Sequence, residues 1–266
     1  MNVNQRFGNL APYLLKGYAA LVMLFIIGPL AIIAFVSLTA GNYIRYPPEE
    51  LSTRWYVEIL NSPEWLVAIQ NSIIIALGAT IISITVGGSL AYALDRYDYT
   101  FSTLMSMLGI VPILLPPIVI AGAFFSFFAT LGMVGDMTTI MIAHAIFFAP
   151  FPFILVLQGL EELDNIYEEA AANLGADPFT RFRTITLPLI KTNIFAGAIF
   201  VYILSLNEYI IAWILSGFVI NTVPLQIYSS LRYAYSPIIA AVSVLFIIVT
   251  VVVVVAIDRL AGGIWE

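Results

Sequence analysis

The strongest constraint on this chain is where its charges are absent. Aspartate, glutamate, lysine and arginine are missing from residues 17–44, 65–94, 99–135, 137–160 and 233–257, and residues 192–231 contain only Glu208. A helix needs about 20 consecutive apolar residues to cross the hydrocarbon layer, where its backbone groups must pair within the segment. All the stretches are long enough. The chain therefore reads as an all-α integral membrane protein with six transmembrane helices at about 17–38, 68–94, 102–126, 138–159, 194–214 and 238–257. Residues 1–266 form a single transmembrane domain on this reading. The N-terminal arm has the look of a signal peptide, with Arg6 and Lys16 ahead of an apolar run. That run is too long for a cleaved segment, so it is kept as the first span.

Composition narrows the chemistry. Cysteine is absent, which excludes disulfides, iron–sulfur clusters and thiol catalysis. The single histidine, His144, cannot build a multi-histidine metal site, so no metal ligands are assigned. A net charge of −6 gives no footprint for nucleic acid. Neither a phosphate-binding G-x-x-x-x-G-K-[ST] loop nor a G-x-S-x-G or H-E-x-x-H motif occurs, so no catalytic residue is nominated. Energised work would need a partner.

An even number of spans places both termini on one side. If that side is the cytoplasm, the inner segments hold Arg6, Lys16, Arg96, Arg181, Arg183, Lys191 and Arg259, against Arg45, Arg54 and Arg232 outside. This bias puts the termini in the cytoplasm. The first outer loop, about 39–66, mixes Trp55, Tyr56, Ile59, Leu60 and Trp65 with polar residues, as a short interfacial helix anchored by its indoles would.

The loop between the fourth and fifth spans, 160–193, holds nine of the 26 charges. Ile166, Tyr167, Ala170, Ala171 and Leu174 fall on one helical face. Gly175 stands where a helix ends in a left-handed residue. Asp177 then offers an N-cap oxygen, and Pro178 suits the first helical position. Phe179, Phe182, Ile185 and Leu189 continue an apolar stripe. The expectation is helix, tight turn, helix, lying along the membrane.

Glu169-Ala170-Ala171, Gly175, Ile185, Leu187 and Pro188 fit E-A-A-x3-G-x9-I-x-L-P at every fixed position. This resembles the signature of the inner-membrane permeases of ABC importers, a likeness that extends through all six spans and to Asn71-Ser72 at the start of the second. The resemblance implies that 160–193 is a cytoplasmic coupling helix, with Glu168, Glu169, Ala170, Ala171, Leu174, Gly175, Asp177 and Pro178 meeting an ATPase. It implies two ATP-binding cassette subunits that bind the ATP, a second permease of a different sequence, an extracytoplasmic substrate-binding protein and a bacterial inner membrane. The chain itself would hold no cofactor and catalyse no reaction.

Within the spans, Glu208 is expected about 21 Å into the fifth, past the midplane. An ionisable group there marks a substrate path or a hydrogen bond between helices. His144 reads as a hydrogen-bonded core histidine. Pro112, Pro116 and Pro117, with Pro150 and Pro152, free backbone carbonyls inside the third and fourth spans, as broken-helix transport sites do. The pathway set is therefore Asn207, Glu208, Tyr209, Pro116 and Pro117.

The outer segments sum to −2, which tilts the path towards cations. The stretch from Ser205 through Asn207-Glu208-Tyr209, Thr222-Val223-Pro224-Leu225 and Ser236-Pro237 most resembles the polyamine (spermidine/putrescine) branch, while Asn207-Glu208-Tyr209 also resembles carbohydrate permeases. An ion-coupled secondary transporter or a channel would need more buried charge than Glu208 and His144 provide. A membrane-embedded enzyme lacks a paired acid or nucleophile.

Overall fold

A computed structural model describes residues 3–97, 99–164, 166–233 and 236–261. The chain divides into two compact units, residues 1–62 with 230–248 and residues 63–229 with 249–266. In the first, α1 (Val3–Val36) leads into a loop pinned by an antiparallel bridge between Thr39 and Leu51, then into α2 (Arg54–Asn61). The short helix forms where its amphipathic pattern placed it. Its indole, however, faces protein: Trp55 and Ile59 are buried, and Trp55 Nε1 donates to Thr39 O at 2.8 Å. Trp65 is buried as well, so the two indoles expected at the membrane interface are packing residues.

The second unit is built on α3 (Pro63–Arg96), an unbroken helix of 34 residues. After it come α4 (Ser102–Leu114), α5 (Pro117–Thr130), α6 (Met137–Phe148), α7 (Pro150–Glu161), α8 (Ile166–Asn173) and α9 (Pro178–Arg181). A π-helical turn, Phe182–Thr186, follows, then α10 (Leu187–Leu189), α11 (Lys191–Asn207), α12 (Ile210–Leu215) and α13 (Val223–Tyr233). The last helix, α14 (Ile238–Ala261), runs through both units. α3 packs on α6, α7 and α11. Small residues permit the close approach: a Cβ on Gly87 would lie 2.6 Å from Ala149 O and 3.0 Å from Phe153 N. Without a hydrophobic drive between helices in lipid, such backbone proximity is what yields packing energy. One core joins Ile75, Ile120, Ala121, Ile140, Phe147, Val201, Ile211 and Leu215; another joins Ala91, Phe153, Val156, Leu160 and Ile190.

Among the described residues, Leu14–Val36, Pro63–Arg96 and Ile238–Ala256 are apolar enough to cross a bilayer uninterrupted. Three bent pairs also have the required length. The stretch expected as one helix over 102–126 turns by 105° between Leu114 and Pro117. Prolines at 112, 116 and 117 remove amide donors and crowd the preceding turn. α6 and α7 meet at 45° beside Pro150, and Pro178–Leu189 meets Lys191–Asn207 at 67°. The stretch expected over 194–214 is interrupted at Glu208, whose backbone is extended with ψ 125°. The reason is a side chain that captures the next turn's amides.

Candidate functional site

The elbow at 166–181 is held almost entirely by local bonds. Asp164 Oδ1 accepts from Ile166 N at 3.0 Å and opens α8. The helix closes with Gly175 N donating to Ala172 O at 2.9 Å and Ala176 N donating to Ala171 O at 3.0 Å, the paired bonds of a Schellman ending. Gly175 has φ +88°, and beyond its own chain neighbours no atom lies within 4 Å of where its Cβ would be. The glycine is required by backbone conformation, and its outer side is open to a partner. Asp177 Oδ1 accepts from Phe179 N at 2.9 Å and Thr180 N at 3.1 Å, while Oδ2 accepts from the Thr180 hydroxyl at 2.6 Å. The Thr180 hydroxyl, then the backbone amides, hold the Asp177 carboxyl below the usual carboxylate range. Pro178 fills the first helical position as expected.

The elbow presents two apolar tips: Leu174 is 90 % exposed and Phe179 68 %. Glu169, Ala170, Gly175, Asp177 and Pro178 are exposed too, and Ala171 is half-buried. Glu168 departs from this group. It is buried beneath the elbow, its Oε1 accepting from Arg96 Nη2 at 2.5 Å and from the Thr186 hydroxyl. Beside it, Tyr92 meets Phe182 edge-on at 4.9 Å. In the sequence Arg96 counts only as an inner-side cation, and Thr186 carries no signal of its own. Arg96 lies 72 positions before Glu168, and no spacing rule joins them.

The second arrangement sits at the break in the fifth apolar stretch. Glu208 Oε1 accepts from Ile210 N at 2.8 Å and Ile211 N at 2.9 Å, and Oε2 from Ala212 N at 3.0 Å. His144 Nε2 lies 3.1 Å from Oε2, and its Nδ1 lies 2.8 Å from Ser205 Oγ. The tautomer protonated on Nε2 donates to the carboxylate and accepts from the serine, which satisfies every group. The His144 and Glu208 side chains are 1 % and 8 % exposed. Glu208 is therefore a sealed cap holding α12 onto α11, and His144 is the hydrogen-bonded core histidine expected from sequence.

Surface chemistry at the break comes from its neighbours. Asn207 is exposed, with Nδ2 donating to Ile203 O at 2.8 Å. Tyr209 stacks near-parallel to Trp213, centroids 6.3 Å apart, and meets Tyr228 at 4.7 Å. Pro116 is exposed at the bend, and Pro117 opens α5, whose Ile120 and Ala121 join the core of Ile211 and Ala212. Among the described residues no cluster of metal-ligating side chains occurs.

At the opposite end of α3 a further set of bonds holds residues 221–226. Asn71 Nδ2 donates to Asn221 O at 2.8 Å, and Ser72 Oγ accepts from Val223 N at 2.9 Å. Asn221 Nδ2 donates to Gln226 Oε1 at 2.5 Å.

With this geometry in view, residues 79–263 match the family described as binding-protein-dependent transport system inner membrane component. The chain is 27 % identical over 246 residues to the spermidine/putrescine transport system permease protein PotC of Escherichia coli (strain K12), covering 92 % of each. It is 32 % identical over 203 residues to the putrescine transport system permease protein PotI of the same strain, covering 74 % of this chain and 72 % of that one. Its fold matches a chain of the bacterial alginate ABC transporter in complex with an alginate pentasaccharide-bound periplasmic protein, with TM-score 0.75, 14 % identity and 99 % of each chain covered.

Proposed function

Because the chain belongs to the family of binding-protein-dependent transport system inner membrane components, we propose that it forms half of the translocation path of an ATP-driven polyamine importer, its 166–181 elbow seated on a cytoplasmic ATPase. It is an ABC-type permease of the bacterial inner membrane. In our reading it crosses six times with both termini in the cytoplasm, as one transmembrane domain. It pairs with a second, different permease, two ATPase subunits that bind the ATP, and an extracytoplasmic binding protein.

One observation carries the coupling assignment. A left-handed glycine between two capped helices carries an open outer side and two exposed apolar tips, Leu174 and Phe179, in a loop that also holds nine charges. Apolar tips beside an open left-handed turn support a docking role. Glu169, Ala170, Ala171, Asp177 and Pro178 frame the contact, while Glu168 braces it from below.

The substrate class rests on the likeness to PotC and PotI over most of the chain. The Tyr209, Trp213 and Tyr228 rings support it, since aromatic faces attract ammonium groups by about 0.5–2 kcal/mol. Asn207, Tyr209, Pro116 and Pro117 then belong to the wall of the path, and Glu208 holds the wall's shape. The test is to purify the tagged chain from its native host and measure ATP hydrolysis with putrescine-loaded and empty binding protein. Co-purification of an ATPase that the loaded protein stimulates supports the assignment. No ATPase in the complex would overturn it.

A further inference from the structure

The two sets of side chain bonds at the ends of α3 share one rigid element. At the inner end, Arg96 and Thr186 converge on Glu168, and Tyr92 packs on Phe182. This ties both α8 and the π-helical turn of the coupling loop to a single turn of α3. At the other end, Asn71 and Ser72 hold the backbone of Asn221 and Val223. From Ser72 to Arg96 the helix rises about 36 Å at ~1.5 Å per residue, with no proline between. The neighbouring elements of this unit are interrupted: α4 from α5, α6 from α7, and α11 from α12. Hinged helices absorb displacement at their breaks. A continuous one transmits it.

We infer that α3 is the rod that carries motion of the coupling loop to the 221–226 segment, with Arg96, Glu168 and Thr186 as its inner joint and Asn71 and Ser72 as its outer joint. These are positioning residues, and the inference rests on the coupling reading above. The inner joint suits the task because it is largely shielded, with the Arg96 and Glu168 side chains 19 % and 11 % exposed: such an ion pair loses much when either partner goes, so loop and helix stay together under load. The outer joint suits it because it grips main chain, so it works whatever side chains the segment presents. Coupling free energy is reciprocal, so an event at 221–226 must reach the ATPase through the same helix.

The absence of cysteine makes the test direct. Spin labels at Ile166→Cys and Val67→Cys, both exposed positions, report the distance between loop and rod in the purified complex. The distance should be the same without nucleotide and after trapping with ATP and vanadate, and Glu168→Gln should broaden it. A distance that changes between the two states in the otherwise native chain would overturn the rod. Stimulation of ATP hydrolysis by putrescine-loaded binding protein gives the second readout. Glu168→Gln and Asn71→Leu should each lower it about tenfold, and together little more, because one broken link already disconnects the ends. Effects that multiply would refute a shared path. Where a single variant fails to assemble, the exchange Arg96→Glu with Glu168→Arg should restore assembly and stimulation; assembly without stimulation counts against the joint. A preparation lacking an ATPase contradicts the coupling reading itself, which separates the two failures.

Discussion

Among the protein's helix breaks, the contrast between the Gly175 elbow and the Glu208 break shows what each is for. The elbow closes its helix ends with neighbours: Ala171, Ala172, Phe179 and Thr180 supply every partner from within a few residues. It leaves Leu174 and Phe179 in the open. At Glu208 the carboxylate also captures the next turn, but it is sealed by His144, 64 positions earlier in the chain. One break is finished and faces outward. The other is finished only by another helix, and its charge is consumed inside.

The sharpest way to break this comparison is at Glu208. Glu208→Ala strands three amides and the His144 N–H in a buried site, where each orphaned donor costs about 1–3 kcal/mol. The melting temperature in detergent should fall by many degrees, and transport should fail because the fold is lost. Glu208→Gln keeps the shape but turns an amide N–H2 towards a donor, so it should destabilise less and leave the KM for putrescine within about twofold. A tenfold rise in KM with unchanged stability would return Glu208 to the substrate.

Gly175→Val has the next largest effect, and of the opposite kind. A β-branched residue at φ +88° strains the turn by about 1–2 kcal/mol or more. It lies outside the core, so the complex should still assemble. Uptake and stimulated ATP hydrolysis should drop at least tenfold while the melting temperature moves little. An equal loss of stability and function would erase the distinction between the two breaks.

The smallest effect is at Asp177. Its native pKa is depressed, so the cap is fully present above the usual carboxylate range and is lost as pH falls through the lowered value. The protection of the Phe179 and Thr180 amides, exchange taken relative to the free-peptide rate at the same pH, should stay high at neutral pH and fall only in acid below that range. Asp177→Ala should lower that protection wherever the native cap is present, and match the native chain in acid below its lowered pKa.

Legibility from sequence followed the same division. Gly175, Asp177 and Pro178 were readable because capping is local: residue types at fixed offsets determine which amides are paired. The breaks in the third and fourth apolar stretches could be anticipated from Pro112, Pro116 and Pro150, but the 105° turn could not, since its angle depends on what the two halves pack against. Glu208 was conspicuous as a charge, and its bonds to the amides of Ile210, Ile211 and Ala212 are local, yet its sealing by His144 depends on a contact between helices. Glu168 was placed with the partner-facing residues by the family resemblance, next to Glu169 of the motif, and its burial against Arg96 and Thr186 is a tertiary fact. Trp55 and Trp65 carried an interfacial pattern and turned inward for the same reason.

The central claim is that the Gly175 elbow is a joint onto a separate motor, and cross-linking from its exposed tip tests it most directly. A photoreactive residue at position 174, activated in native membranes during ATP turnover, should yield one dominant adduct with an ATP-binding cassette subunit. If the adducts are only with lipid and solvent, in the presence and absence of ATP alike, the elbow docks nothing and the account fails.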